Sequence, residues 1–308
     1  MRHGVTERLP VFHDDVPSTT PRTRKDRSAD EPRRGSSSES RSRRQGPPVW
    51  DSTDTPVPGG PTPSSWPQAQ HGPTPLPGWV ITDAAATDTE LGVLKTGKEA
   101  DVNLVERSVP GGRAVVMAAK RYRSPEHRLF HRDAGYTEGR RVRRSREMRA
   151  MANRTDFGRD LLAGQWAAAE FAALTRLTEL SAPVPYPVQL LGTEVLLEYL
   201  DEPDGSAAPR LAQLRPHPAQ LGPLWHQLLD VLGLLADEGL AHGDLSPYNL
   251  LVHRGDLVVI DLPQVVDVVA NPRGPEILRR DVTVMCTWFT ARGLTQDPDD
   301  VLAALARR

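Results

Sequence analysis

The sequence has 308 residues, of which 38% are hydrophobic and 25% charged, enough for a sizeable core in one large or two small domains. Its formal net charge of -2 argues against a nucleic-acid coat protein and against a polybasic membrane binder. The single cysteine, Cys286, excludes a disulfide framework and a cysteine-built zinc site.

The N-terminal quarter is predicted to be a disordered tail. Residues 1–78 contain 14 of the 29 prolines and show almost no periodic apolar pattern. The first residues lack the apolar segment of a signal peptide, and no stretch reaches the ~18–20 apolar residues that span a bilayer. We therefore expect a cytoplasmic protein without a membrane partner, whose folded domain covers residues 79–308.

Short β-like segments open this predicted domain, and longer helical patterns follow. The β-like segments are Leu91–Leu94, Val102–Glu106 and Ala114–Lys120, then two runs within Val188–Leu200, then Leu250–Val252 and Leu257–Asp261. The helical patterns are Leu161–Leu180, Leu221–Gly239, about Pro275–Arg292 and Pro298–Arg307. Most strands precede most helices, which favours an α+β fold in two lobes whose first three strands form an antiparallel meander.

The segment Lys95–Val102 joins two of these β-like runs. Its small residues let backbone N–H groups approach a phosphate, and Val102 can cover an adenine face. A plain turn between strands is the alternative. The segment is not a Walker A loop, because the required glycine and lysine spacing is absent and a strand follows instead of a helix.

Lys120 ends the third β-like segment, and Glu170 lies within the first helical pattern. Helical spacing places Glu170 on the same inward face as Trp166 and Leu174. A buried carboxylate without a partner is costly or takes up a proton, so a strand lysine is its expected mate. Such a pair can aim Lys120 at the α- and β-phosphates of a nucleotide, and a purely structural ion pair is the alternative.

The most specific string is the loop His242–Asn249, followed by a hydrophobic hairpin that ends in Asp261. Phosphoryl transfer needs an aspartate that orients or deprotonates the nucleophile, an amide oxygen that holds Mg²⁺, and a second carboxylate that bridges the metal to the phosphates. Asp244, Asn249 and Asp261 meet these needs in that order. The alternative is an ordinary loop in which Asp and Asn residues cap turns. That alternative accounts well for one such residue and poorly for all three.

In these motifs the sequence resembles the RIO kinases, a family of atypical protein kinases, and in particular their RIO1-like branch. The similarity covers about Leu91 to Gly293. Thr96–Val102 resembles the family's Ser-Thr-Gly-Lys-Glu-Ala-Asn/Asp-Val loop, Trp166–Glu170 its Trp-Ala-x-x-Glu motif, Asp244–Asn249 its Asp-Leu-Ser-x-Tyr/Phe-Asn string, Ile260–Gln264 its Ile-Asp-x-Ser/Pro-Gln string, and Glu276–Asp281 the helix that follows.

The resemblance implies a two-lobed protein-kinase-like fold that binds ATP and Mg²⁺. It implies a small antiparallel β lobe at about 79–197, a hinge at 198–200 and a helical lobe at 201–308. The implied catalytic residues are Asp244 as base, Asp261 as metal ligand and phosphoryl acceptor, Lys120 and Glu170, with Asn249 as the second metal ligand. The implied nucleotide contacts are Thr96, Gly97, Lys98, Glu99, Ala100, Val102, Lys120, Glu198, Leu200 and Leu251, and Leu197 guards the adenine pocket.

The C-terminal part of the sequence limits how a protein substrate could bind. Only 47 residues follow Asp261 and no Ala-Pro-Glu string occurs among them, so we expect a reduced helical lobe that lacks the peptide-docking segment. Phosphorylation of a serine on a protein brought by other contacts, autophosphorylation, and ATP hydrolysis as a conformational switch stay open. The resemblance favours the last two, with Asp261 as the acceptor in an aspartyl-phosphate intermediate.

Two other functions also stay open. The first is a small-molecule phosphotransferase of the aminoglycoside or choline kinase type, although such enzymes usually have His where Ser246 stands. The second is a non-catalytic nucleotide-binding assembly factor.

A polar segment between the third strand and the first helix carries six arginines within Arg140–Arg149. The family's association with small-subunit assembly makes it the candidate contact for a ribosomal subunit or RNA. Solvation of a loop, or binding of a phosphorylated Ser145 within it, is the alternative.

Overall fold

The computed structural model describes residues 60–123 and 156–308, and for residues 156–160 it describes the backbone alone. These residues all fall within one structural unit, Val49–Arg308. The Arg140–Arg149 segment with Ser145 lies outside the described residues. Over the described ranges, no helix is long and apolar enough to cross a membrane.

An antiparallel sheet forms the first lobe. Its five long strands are β3 (Thr87–Thr96), β4 (Ala100–Ser108), β5 (Ala114–Tyr122), β6 (Pro187–Leu191) and β7 (Glu194–Glu198). β3, β4 and β5 pair in sequence order, which confirms the predicted meander, and β7 lies between β5 and β6. Because side chains alternate along a strand, β5 buries Met117 and Ala119 in one cluster and turns Ala118 and Lys120 to the opposite face.

Regular structure is already present before the predicted boundary at residue 79. β1 (Thr62–Pro63) pairs with β3 at one edge of the sheet, and β2 (Gln70–His71) pairs with β6 at the other. Trp66, between these two strands, packs on the buried cluster of the sheet. The predicted tail therefore does not extend over residues 60–78, because contacts with existing sheet edges order a segment that has no periodicity of its own.

A buried polar network holds this N-terminal segment. The fully buried guanidinium of Arg107 donates to both carboxylate oxygens of Asp88, at 2.7 and 2.8 Å, and to Gln189 Oε1 at 3.0 Å. Gln189 Nε2 in turn donates to Ser65 Oγ at 2.8 Å. The charge of Arg107 is thus paired and hydrogen-bonded, as a buried charge requires.

Helix α1 (Asp156–Glu179) connects the sheet to the second lobe. Ala167 and Phe171 pack against the sheet residues Tyr122 and Val195, whereas Leu174 and Leu177 belong to the core of the helical lobe. One helix therefore carries side chains into both cores, and Glu170, which directly precedes Phe171, lies just before the change from one core to the other.

The second lobe is mainly helical, as predicted. It contains α2 (Pro218–Asp237), β8 (Leu240–Ala241), the hairpin of β9 (Leu250–His253) and β10 (Asp256–Val259), β11 (Val266–Asp267), α3 (Gly274–Thr290) and α4 (Pro298–Leu305). The apolar face of α2 is buried against α3, where Trp225 meets Phe289 edge to face with ring centroids 5.1 Å apart. The two lobes together form the α+β fold expected from the order of the elements.

Candidate active site

Lys120 lies between two carboxylates where the lobes meet. Its Nζ is 2.6 Å from Glu170 Oε1 and 2.8 Å from Asp261 Oδ1. The expected pairing of Lys120 with Glu170 is thus present, and Asp261 forms a second pair. Glu170 is 1% exposed and also accepts a hydrogen bond from the Tyr122 hydroxyl at 2.5 Å. The strand, the helix and the loop after β10 each contribute one member of this cluster.

These contacts set the charge state of the cluster. Burial by itself lowers the pKa of Lys120, but the carboxylates of Glu170 and Asp261 outweigh it and hold that pKa above its ordinary value. Burial by itself raises the pKa of Asp261, but the Lys120 ammonium outweighs it and holds that pKa below its ordinary value. Lys120 is therefore a cation and Asp261 an anion at neutral pH.

Asp261 has an unusual backbone conformation. Its φ is 68°, in the left-handed region that few non-glycine residues adopt. Its neighbours are held by hydrogen bonds on both sides, since Ile260 N donates to Asn249 O at 3.0 Å and Leu262 N donates to Glu170 Oε1 at 3.3 Å. The Asp261 side chain remains 44% exposed, so it is presented to the space between the lobes from a fixed backbone.

The loop His242–Asn249 requires a glycine at position 243. Gly243 has a φ of 87°, and a Cβ there would lie 2.1 Å from Gln264 O. Its N–H donates to Asp281 Oδ2 at 2.8 Å, and Leu245 N donates to Asp281 Oδ1 at 3.0 Å. Burial raises the pKa of Asp281 even though these two N–H groups favour its ionised form. One buried carboxylate from α3 thus fixes the backbone on both sides of Asp244.

His242 links the loop His242–Asn249 to the loop that carries Asp261. The N–H of Asp244 donates to His242 Nδ1 at 3.3 Å, which makes Nδ1 an acceptor. Nε2 therefore carries the proton and donates to Ile260 O at 3.1 Å. The imidazole of His242, which is 1% exposed, thus holds together the backbones that carry Asp244 and Asp261.

Asp244 itself forms an ion pair with Arg280 of α3. Its Oδ1 lies 2.8 Å from Arg280 Nη2, and its side chain is 29% exposed. The carboxylate is therefore accessible to a substrate from a loop whose backbone is rigid.

The side chain of Asn249 is fixed by the backbone of Asp244. Its amide Nδ2 donates to Asp244 O at 2.9 Å, so the amide oxygen is turned away from that carbonyl. No cluster of three or more His, Cys, Asp or Glu side chains suited to a metal occurs in residues 60–123 and 156–308. The amide of Asn249 and the carboxylate of Asp261 fit Mg²⁺, which keeps waters and takes phosphate oxygens as its other ligands.

The predicted nucleotide loop forms the turn between β3 and β4. Thr96 ends β3, Ala100 begins β4, and Gly97 N donates to Ala100 O at 3.0 Å; Gly97, Lys98 and Glu99 form the turn itself. In the adjoining sheet, Lys95 pairs with Val102 and Val102 with Lys120. Paired residues of antiparallel strands share a face, so Val102 lies beside Lys120 on the same face of the sheet.

The structure brings together only some of the residues that were predicted to lie around the adenine. Leu200 and Leu251 pack in one small cluster with Val258. Leu197 pairs with Ala118, two residues before Lys120 and on the same face of the sheet. Glu198 ends β7, and its carboxylate accepts a hydrogen bond from Tyr186 N at 3.1 Å. The structure thus groups Leu200 with Leu251 and places Leu197 on the same face of the sheet as Lys120.

Sequence reasoning missed the contacts that His242, Arg210, Arg280 and Asp281 make with the loop His242–Asn249 and with the Asp261 loop. Arg210 donates to the carbonyl of Tyr248 in the loop His242–Asn249. Burial lowers the pKa of Arg210, and the nearby Asp261 carboxylate offsets part of that lowering. The motif Glu276–Asp281 contains two of the four residues, but nothing in its spacing shows which loop they contact. Such contacts follow from the packing of α3 on the loop.

Comparison with known proteins places these residues in a family. The family model described as the RIO domain matches residues 117–301. The RIO-type serine/threonine-protein kinase Rio1 of Haloferax volcanii is 34% identical over 211 residues, covering 68% of this chain and 66% of that protein. The serine/threonine-protein kinase RIO1 of Caenorhabditis elegans is 34% identical over 130 residues, covering 42% of this chain and 25% of that protein.

A solved structure shows the same fold. The crystal structure of the Rio2 kinase from Chaetomium thermophilum superposes with a TM-score of 0.50 and 23% identity, covering 68% of this chain and 62% of that one. In each of these three comparisons the chain spans less than two thirds of the length of the matched protein.

Proposed function

Because this chain belongs to the RIO kinase family, we propose that it transfers the γ-phosphoryl group of ATP in a magnesium-dependent reaction, as a RIO-type serine/threonine kinase or ATPase. The observation that carries the proposal is the position of Lys120, paired with Glu170 from α1 and with Asp261 from the loop after β10. A cation fixed in this way is suited to hold the phosphates of a nucleotide.

In this proposal, one set of residues binds ATP and its phosphates, and Asp244 contacts the attacking nucleophile. Lys120 binds the α- and β-phosphates, and Glu170 fixes its ammonium. Asn249 and Asp261 hold Mg²⁺, which neutralises charge on the phosphates. Asp244 accepts a hydrogen bond from the attacking hydroxyl or water and takes its proton. Val102, Leu200 and Leu251 cover the adenine, and the turn Thr96–Ala100 lies over the phosphates.

Three outcomes of the reaction differ in the acceptor. In the first, a serine hydroxyl attacks the γ-phosphorus and ADP leaves. In the second, water attacks and phosphate is released. In the third, a carboxylate oxygen of Asp261 attacks first, ADP leaves, and water then cleaves the acyl phosphate to restore Asp261. The exposure of Asp261 leaves its carboxylate open to this role.

We expect the purified protein, incubated with γ-labelled ATP and Mg²⁺, to release labelled phosphate, to become labelled itself, or both. Label that hydroxylamine removes identifies an acyl phosphate, whereas label that resists it identifies a serine ester. Binding of ATP without free phosphate, without label on this chain and without label on added protein fractions would contradict enzymatic transfer and support a nucleotide-binding assembly factor.

The arginine-rich segment supports a proposal about partners. Six arginines within Arg140–Arg149 give a local positive charge that suits a ribosomal subunit or RNA. We expect replacement of Arg140, Arg141, Arg143 and Arg144 by Ala to weaken co-sedimentation with ribosomal subunits. The salt dependence should flatten by a slope of about 0.7–0.9 for each arginine–phosphate ion pair that the replacement removes. Equal binding and equal slopes for both proteins would show that the segment has no such role.

A further inference from the structure

The side chain of Arg280 contacts the proposed catalytic carboxylate of Asp244 directly. Its Nη2 lies 2.8 Å from Asp244 Oδ1, and its Nη1 lies 3.4 Å from Gly243 O. One guanidinium therefore reaches the side chain of one loop residue and the backbone of the residue before it. The proposed function assigns a role to Asp244 but none to Arg280.

The backbone of α3 at Arg280 is fixed relative to the loop His242–Asn249. The next residue on α3, Asp281, is 1% exposed and accepts the N–H groups of Gly243 and Leu245. These two bonds hold the first part of α3 against the backbone on either side of Asp244. Arg280 thus extends from a point that cannot shift without breaking buried hydrogen bonds, so its guanidinium has a defined position beside Asp244.

The neighbouring arginine shows that this contact is particular to Arg280. Arg279 points to the start of α4, where its Nη1 lies 2.6 Å from Asp299 Oδ1. Both of those side chains are more than half exposed, and Arg280 is itself 52% exposed. Ion pairs with such exposure contribute little to folding stability. Loss of the ion pair between Arg280 and Asp244 should therefore change folding stability little.

We propose that Arg280 is a positioning residue that holds the Asp244 carboxylate in the direction of the acceptor hydroxyl or water. This inference rests on the proposed function, in which Asp244 contacts the nucleophile. Asp244 extends from a loop whose backbone is fixed, and the guanidinium of Arg280 restricts the rotation of its side chain. This restriction matters because a misplacement of about 1 Å in a reacting group can cost about 100-fold in rate.

The first test compares Arg280→Ala, Arg280→Lys and the control Arg279→Ala in steady-state ATP turnover. We expect Arg280→Ala to lower kcat by about 10- to 100-fold and to leave the KM for ATP within about twofold. Arg280→Lys restores the positive charge but lacks the planar guanidinium. Its kcat should therefore lie between that of Arg280→Ala and that of the unchanged protein. Arg279→Ala should match the unchanged protein, and all variants should melt within about 2 °C of it.

A double-mutant cycle separates positioning from an independent role. If Arg280 acts through Asp244, adding Arg280→Ala to Asp244→Asn should lower kcat no further. Losses that multiply in the double variant, or a lowered melting temperature in Arg280→Ala, would overturn the positioning role. Normal kcat in Arg280→Ala beside a slow Asp244→Asn protein would overturn this inference alone. Normal turnover in Asp244→Asn would overturn both the proposed role of Asp244 and that of Arg280.

Discussion

Asp244→Asn is expected to lower ATP turnover by about 1,000-fold while nucleotide binding stays nearly unchanged. The substitution keeps the size of the side chain but removes the group that accepts the proton of the nucleophile, and general base catalysis contributes about 10²- to 10⁴-fold. The backbone around position 244 depends on Asp281 and His242, which the substitution does not touch. The fold and the phosphate-binding side of the site should therefore persist.

The measurement is the kcat for phosphate release together with the Kd for ATP in the presence of Mg²⁺. Asp237→Asn is the matched control, because it makes the same change in an exposed carboxylate that pairs with Arg308 at the end of α2. We expect the control to keep full turnover. An Asp244→Asn protein that releases phosphate at the normal rate would show that another residue contacts the nucleophile.

Asp261→Ala is expected to remove most of the magnesium-dependent stabilisation by ATP. A ligand at 100 times its Kd raises the free energy of unfolding by about 2.7 kcal/mol, which is several degrees in melting temperature for a chain of this size. Asp261 supplies one of the two proposed oxygen ligands, so its loss should weaken binding of the metal with the nucleotide. Lys120 keeps its pair with Glu170, and some binding of ATP without metal should remain.

Thermal unfolding should be followed with ATP alone, with Mg²⁺ alone and with both. Asp256→Ala is a suitable control, since Asp256 is an exposed aspartate at the start of the β10 strand that leads to Asp261. The control should show the full difference in melting temperature between ATP with Mg²⁺ and ATP without Mg²⁺. An Asp261→Ala protein that shows the same difference as the control would contradict the metal assignment.

The sequence alone was sufficient for the groups whose identity and local spacing define the chemistry. Asp244, Asn249 and Asp261 follow one another within 18 residues of chain, so their roles could be predicted without a fold. The burial of Glu170 also followed from the sequence, because a helix repeats every 3.6 residues and its apolar neighbours define the inward face. The five long strands of the sheet, the β9–β10 hairpin and the four helices were predicted from their own periodicities, with their ends shifted by a few residues, whereas the two-residue strands β1, β2, β8 and β11 were not predicted.

The N-terminal segment shows where local reasoning fails. Residues 60–78 are rich in proline and carry no repeating apolar pattern, so the sequence predicted disorder. Their order comes from strand pairing with both edges of a sheet formed by residues 87–198 and from the buried pair of Arg107 with Asp88. Neither source has a signal within the segment itself.

Only the tertiary structure decided which charged groups meet. Lys120 and Asp261 are 141 residues apart in the chain, and Arg280 and Asp244 are 36 apart, so no helical or strand periodicity relates them. α1 brings Lys120 to the level of the Asp261 loop because its side chains enter the cores of both lobes, and α3 brings Arg280 to Asp244 because Asp281 binds the loop backbone. The sequence determined which chemical groups are present, and packing between distant segments determined which of them act on one another.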